Sequence, residues 1–192
     1  MRYADRLCLS GKAIFLADLN YYNNLPTLDV SNSTALYDLR CYGNNLTALD
    51  VSKNTALWRL ECYNNGIRGE GMTTLVNSLP VIPEGEDKGK LYVCLNETPG
   101  GNGITAGQVN IATGKCWEVL INNGSGYGWE DYEGLPDGDV NADGSVDKRD
   151  VEDLTDYLLG NLPEADKWFF DADGNGVVDV ADIVYVINII KE

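Results

Sequence analysis

Asp139-Val-Asn-Ala-Asp-Gly-Ser-Val-Asp-Lys-Arg-Asp150 and, 32 residues later, Asp171-Ala-Asp-Gly-Asn-Gly-Val-Val-Asp-Val-Ala-Asp182 carry one pattern twice. Positions one, three, five, nine and twelve bear side-chain oxygen: Asp139, Asn141, Asp143, Asp147 and Asp150 in the first stretch, Asp171, Asp173, Asn175, Asp179 and Asp182 in the second. Position six is glycine both times, Gly144 and Gly176. A hard cation such as calcium takes about six to eight oxygen ligands, so a short loop must wrap round it with oxygens at alternate positions and glycine at the sharp turn. Duplication makes a chance match hard to sustain.

Position seven supplies a main-chain carbonyl in such loops, so Ser145 and Val177 can differ without changing the ligand. Position eight is apolar twice, Val146 and Val178, and is read as a short strand contact between the loops. A helical stripe follows each loop: Val151, Leu154 and Leu158, then Ile183, Val186, Ile187 and Ile190. Gly160 and Pro163 end the first helix. Position twelve is aspartate where an EF-hand usually has glutamate, and no amphipathic helix precedes the first loop. Loop plus exit helix is the repeating unit.

The run Gly138-Asp-Val-Asn-Ala-Asp-Gly-Ser-Val-Asp, a helix with Leu159-Gly, then Asp171-Ala-Asp-Gly-Asn-Gly-Val-Val-Asp-Val-Ala-Asp-Ile resembles a type I dockerin over residues 137–192. The resemblance implies a small all-α unit of paired half-EF-hands that holds two calcium ions and docks onto a cohesin-like partner in a secreted or surface assembly. It also implies a partner-facing surface at loop positions ten and eleven, Lys148-Arg149 and Val180-Ala181, extended by Val184, Tyr185 and Ile189 on the last helix. The two dipeptides differ sharply, so one docking orientation is expected, with the second half dominant. In the rival reading the last helix, apolar nearly all round, packs on the preceding domain.

Composition bounds the rest. Of a net charge of −16, residues 137–192 carry fifteen acids and four bases, net −11, leaving −5 for the preceding 136 residues. Two calcium ions would reduce the −11 to −7. Neither nucleic acid nor an anionic membrane is an expected partner, and no apolar run approaches a membrane span. Histidine is absent, which removes the commonest general base and transition-metal ligand. Five cysteines form no CxxC pair, which argues against zinc and thioredoxin-like readings. Met1-Arg-Tyr-Ala-Asp has no signal-peptide character, so a trimmed or incomplete start is expected for a protein placed outside the cell.

Leu25-Pro-Thr-Leu-Asp-Val-Ser and its continuation to Asn44 recur 21 residues later as Leu46-Thr-Ala-Leu-Asp-Val-Ser to Asn65. A weaker copy, read as one residue short, precedes them with Leu7, Leu9, Leu16, Leu19 and Tyr21. Fixed periods of this length mark units that bury their apolar faces only by stacking. The string L-x-x-L-x-C-x-x-N, at Leu36–Asn44 and Leu57–Asn65, resembles the leucine-rich repeat, and its pairing with a dockerin-like tail resembles exported proteins of Bacteroides-like bacteria. The resemblance implies that Leu39 with Cys41, and Leu60 with Cys62, point inward, that Asn44 and Asn65 form a ladder, and that the convex side is strand or irregular. Asp38, Arg40, Tyr42, Arg59, Glu61 and Tyr63 then alternate outward as a ligand face.

Beyond Gly66 the pattern predicts a helix through Met72, Leu75, Val76 and Leu79, a strand over 91–95, a helix over 105–112 and a strand over 117–121, a βαβ-type cap. The segment 134–138 reads as a hinge. Cys41 and Cys62 read as small buried hydrophobes; a Cys94–Cys116 bridge stays open as the minor alternative. Asp38 and Glu61 read as a solvated face rather than an acid pair, and Gly100-Gly-Asn-Gly-Ile as a plain turn, since no lysine and serine follow at phosphate-loop spacing. Tyr21, Tyr22, Tyr37, Tyr42, Trp58 and Tyr63 could form a recognition patch or merely cover the core.

The expected fold is therefore mixed α/β: a leucine-rich-repeat domain with its cap at 1–135 and a calcium-binding dockerin-like domain at 136–192. The expected function is non-catalytic, with cohesin docking by the tail and recognition of an unknown protein or glycan by the repeat face. The alternative is an accessory glycan-binding component of a polysaccharide-degrading system.

Overall fold

The computed structural model describes residues 7–10, 16–18, 24–95, 101–122, 128–141, 145–162, 170–173 and 177–191. In chain order the elements are β1 (Leu7–Ser10), β2 (Leu16–Asp18), β3 (Leu28–Asn32), β4 (Asp38–Arg40), β5 (Arg59–Glu61), α1 (Gly69–Ser78), β6 (Gly89–Leu95), α2 (Ala106–Thr113), β7 (Trp117–Asn122), β8 (Glu130–Asp131), α3 (Lys148–Leu158) and α4 (Val180–Ile190). β2, β4, β5, β6 and β7 pair parallel in that order, and β8 adds antiparallel to β7. β1 and β3 form a separate parallel pair. The fold is mixed α/β, as expected from the alternation of patterns.

Strand alternation sorts the large sheet into rows. Ala17, Leu39, Leu60, Leu91 and Val119 are in register, and the last four are buried. Leu16, Asp38, Arg59, Lys90 and Glu118 form the neighbouring row. Full burial of a leucine contributes about 1.5–3 kcal/mol, and β4, β5 and β6 each place one such residue, Leu39, Leu60 and Leu91, in this row. The spacing from Leu16 to Asp38 corrects the first copy: it is one residue long, not one short. Alignment by leucines favoured Leu16 and Leu19, whereas the ladder puts Ala17 beside Leu39.

Buried main-chain groups between copies are satisfied by amide side chains. Asn44 Oδ1 accepts from Leu25 N at 3.2 Å while its Nδ2 donates to Cys41 O at 3.0 Å. Asn65 accepts from Leu46 N at 3.0 Å and donates to Cys41 O and Cys62 O at 3.0 and 2.8 Å. A third rung is Asn102, which accepts from Ile67 N at 2.9 Å and donates to Cys62 O and Val93 O at 2.8 and 2.9 Å. Within the stretch read as a plain turn, Asn102 is thus a buried rung, and Gly100 lies outside the described residues. Asn54 links the other edge, donating to Val30 O and Ser33 O at 2.9 and 2.8 Å.

The cap follows its pattern. Met72, Leu75 and Val76 bury one face of α1, which has no basic residue in its last turn. Lys115 supplies that charge from elsewhere, its Nζ donating to Val76 O, Asn77 O and Leu79 O at 3.1, 2.5 and 3.0 Å, where the carbonyl end of the helix dipole favours a cation. Burial lowers the Lys115 pKa below the usual lysine range. Thr105 and Gln108 cap α2 reciprocally. Cys41 and Cys62 are buried free thiols, as expected, and Cys116 is free as well, which removes the Cys94–Cys116 bridge. The side chains of Cys8 and Cys94, like Tyr21 and Tyr22, lie outside the described residues.

A second, smaller core gathers Val140, Leu154, Phe170 and Val186. Tyr157 stacks on Phe170 with centroids 4.6 Å apart. Val146 and Val178 pack against this core, and neither lies in a strand, so position eight fills the core rather than pairing the loops. Leu158 and Ile190, placed on the helical stripes by spacing, are exposed because they fall beyond the reach of the small core.

The segment 134–138 is not an open hinge. Leu135 is buried, its N–H donates to Ile104 O at 3.0 Å, and its carbonyl accepts from Ala106 N at 2.8 Å. Gly134, at φ +85°, passes so close to α2 that a Cβ would lie 2.6 Å from the Thr105 carbonyl carbon. Its glycine allows close approach, not slack. Among the described residues no helix is long and apolar enough to cross a membrane.

Candidate metal centre and docking face

Each loop ends by starting its helix. Asp147 caps α3, its carboxylate accepting from Arg149 N at 2.7 Å, and Asp150 Oδ2 accepts from Asp147 N at 2.8 Å. Asp179 caps α4 in the same way, accepting from Ala181 N at 2.6 Å, and Asp182 Oδ2 accepts from Asp179 N at 2.8 Å. Both are reciprocal capping boxes. Positions nine and twelve therefore set the helix start as well as facing the loop, and aspartate at twelve reaches both tasks. The remaining oxygens, Asp150 Oδ1 and Asp182 Oδ1, accept from Val140 N at 2.9 Å and Asp173 N at 3.2 Å, tying helix to loop.

In the second loop, carboxylate oxygens of Asp171, Asp173 and Asp182 lie within 4.8 Å of one another. Asp182 is fully buried, and the buried Asp171 Oδ1 accepts no hydrogen bond. Gathering three carboxylates is costly by mutual repulsion and desolvation unless a cation offsets it. Hard oxygen donors of this kind fit calcium. In the first loop Asp139 and Asp150 are buried and Asn141 is half-buried. Asp143, Gly144, Asn175 and Gly176 lie outside the described residues. Ser145 and Val177 are exposed.

The loops differ at position eleven. Arg149 Nη2 pairs with Asp147 Oδ2 at 2.9 Å, and its hydrogen bond holds the Asp147 carboxyl below the usual carboxylate range. The second loop has Ala181 there.

The structure divides the residues read as partner-facing. Val180 and Val184 are 65 % and 51 % exposed, with Ala181 exposed between them. Their counterparts on α3 are Lys148, Arg149 and Glu152, and Lys148 pairs with Glu152 at 3.2 Å. One half presents valines where the other presents an ion pair. Tyr185 and Ile189 are half-buried. Tyr185 lines a cavity beside the start of α2, and a Cβ on Gly138 would lie 3.0 Å from Ile189 Cδ1. The last helix thus has Val180 and Val184 exposed and Tyr185 at the junction with α2.

On the large sheet, Asp38, Arg40, Tyr42, Arg59, Glu61 and Tyr63 share the strand face, but as a paired network. Arg40 bonds Asp38 at 2.9 Å and approaches Glu61 at 3.5 Å; Arg59 bonds Glu61 at 2.7 Å. Glu61 is buried. Tyr42 stacks on Tyr63 at 4.4 Å, Trp129 meets Tyr63 at 5.1 Å and Tyr92 at 4.9 Å, and Arg59 sits 4.5 Å over the Tyr92 ring. Spacing did not reveal Tyr92 or Trp129 as members of this row. An aromatic embedded in the glycine-rich stretch before β8 was the available signal. Tyr37 and Trp58 stack separately at 5.6 Å.

No curated protein and no solved structure matches the chain. Residues 137–191 match the family model of the dockerin type I domain, the segment that holds both aspartate loops and both exit helices. Type I dockerins are calcium-binding modules that dock onto cohesins, in extracellular or cell-surface complexes. The carboxylate cluster, the buried position-twelve aspartates and this match agree: the chain carries a type I dockerin domain at its C-terminal end.

Proposed function

We propose that this protein is a non-catalytic docking and recognition protein that works outside the cell. Residues 136–192 bind two calcium ions, one per loop, and dock onto a cohesin module chiefly through the second half. The observation that carries this reading is the convergence of Asp171, Asp173 and Asp182 inside the segment that matches the dockerin family. Exposed Val180 and Val184 support dominance of α4, because their α3 counterparts offer a charged pair where a partner would need an apolar contact. Residues 1–135 form a short leucine-rich-repeat module, a reading supported by the in-register parallel rows and the asparagine rungs. Absence of catalysis is supported by Asp38 and Glu61, the acids best placed on the strand face, which are engaged by Arg40 and Arg59.

The strand face recognises a protein rather than a glycan. Sugar stacking needs an open ring face, and Tyr63 has Tyr42 on it and Trp129 against it, while Tyr92 carries Arg59 and the edge of Trp129. The test is capture of the full chain on immobilised cohesin modules in calcium, with and without excess chelator. Retention in calcium and release by chelator is the expected result; capture that survives chelation removes the proposal.

A further inference from the structure

Asp171 and Asp173 line a cavity of about 300 Å³ together with Asp137, Tyr185, Gly107 and Gln108. It lies where the dockerin unit meets the start of α2. We propose that the second calcium loop and this junction are one coupled element: cation binding by Asp171, Asp173 and Asp182 strengthens the seating of the dockerin on α2, and seating strengthens cation binding. The inference rests on the calcium reading above and adds to it a regulated interface within the chain.

Three observations carry it. The first is charge. Asp137 accepts a hydrogen bond from Gly107 N at 3.2 Å, at the positive end of α2, and shares the cavity with Asp171 and Asp173. With the loop empty these carboxylates repel one another; a cation on two of them removes that repulsion from the junction. The second is helix geometry. Asp182 and Tyr185 are three residues apart on α4, one a candidate ligand and the other a cavity wall, so fixing Asp182 fixes Tyr185. The third is the connecting chain. Gly138 has φ +92°, and a Cβ there would lie 3.0 Å from Ile189 Cδ1 and 3.5 Å from Val186 Cγ2. At its other end Gly134 is pressed on Thr105. A strap seated this closely at both ends transmits a shift of either unit. By linkage the two effects are equal in size.

The test uses the full chain and Gly107→Leu. A Cβ at this second position of α2 would lie 3.1 Å from Asp137 Oδ2, so leucine presses on the carboxylate that anchors the strap at Gly107 N. Helix propensity favours leucine over glycine, and no candidate calcium ligand changes. In calcium calorimetry one of two sites is expected to weaken by about fivefold or more, the other keeping its affinity. Hydrogen exchange of the unsubstituted chain supplies a readout that needs no variant: calcium is expected to slow exchange across 104–112 as well as across 137–191. Unaltered affinities at both sites in Gly107→Leu, or calcium protection confined to 137–191, overturn the coupling and leave the calcium reading standing. Absence of calcium binding to the unsubstituted chain overturns both.

Discussion

Asp179 and Asp182 close on each other: the Asp179 main-chain N–H donates to Asp182 Oδ2 at 2.8 Å, and the Asp179 carboxylate accepts the Asp182 N–H in return. Asp147 and Asp150 do the same at 2.8 Å. Residues at calcium-ligand spacing are thus also the first hydrogen bonds of the exit helices. Helix formation and loop shape are linked before any ion binds.

Asp182→Asn tests this double role. The substitution keeps the size of the side chain but removes its charge and one of its two acceptors for Asp173 N and Asp179 N. Calcium binding to the second loop should be lost. In the calcium-free chain two effects oppose: a part-buried donor left unpaired costs about 1–3 kcal/mol, while one carboxylate fewer relieves the repulsion within the empty loop, so the net loss should fall below that figure. Calorimetry reads the loss of binding and a thermal melt in chelator reads the balance; a melt above that of the unsubstituted chain would show that repulsion outweighs the capping bond.

Removing calcium should unfold the dockerin before the sheet. Among the described residues its buried core comprises Val140, Leu154, Phe170 and Val186, and a unit of about this length rarely holds without a staple such as a metal. A cation at about a hundred times its dissociation constant adds about 2.7 kcal/mol. Circular dichroism with excess chelator should show loss of helical signal at a lower temperature than in calcium, with the sheet transition in place.

Asn102→Ala should destabilise the sheet unit far more than Asn110→Ala. Asn102 satisfies Ile67 N, Cys62 O and Val93 O, all within the core, whereas Asn110 is exposed on α2. Each buried group left unpaired costs about 1–3 kcal/mol. Urea melts of the two variants compare them directly, and equal midpoints would show that water replaces the rung.

The Cys41 thiol is pushed up to about 12, first by burial and then by the Glu61 carboxylate. An unfolded thiol ionises near its ordinary 9.0, so between these values the native state holds a proton that the unfolded state has released. Stability should therefore fall as pH rises above 9.0, at about 1.4 kcal/mol per pH unit from this group. Urea melts at alkaline pH should show the slope, and Cys41→Ala should remove that part of it.

Local chemistry was legible because it repeats within a dozen residues. The two aspartate loops, their exit helices and the calcium-binding character of the segment needed no knowledge of what packs where. The 21-residue copy likewise exposed Leu39, Leu60, Asn44 and Asn65 as buried. Asn102 escaped because it follows Val93 by nine residues, where Asn65 follows Cys62 by three. Its role is identical, but the spacing that advertised the others had gone.

By itself the sequence determined the metal-loop pattern, the stacked copies and the type of most elements, since each depends on residues near in the chain. Tertiary structure alone decided three things. It set the first copy beside Asp38 through Leu16, because backbone register follows hydrogen bonding and not the choice of leucine. It turned 134–138 from a hinge into a strap, because Gly134 and Asp137 meet partners about thirty residues earlier in the chain, at Thr105 and Gly107. And it divided α4 between Val184 in solvent and Tyr185 at the junction, a distinction that no helical periodicity carries because both residues are apolar enough for either side.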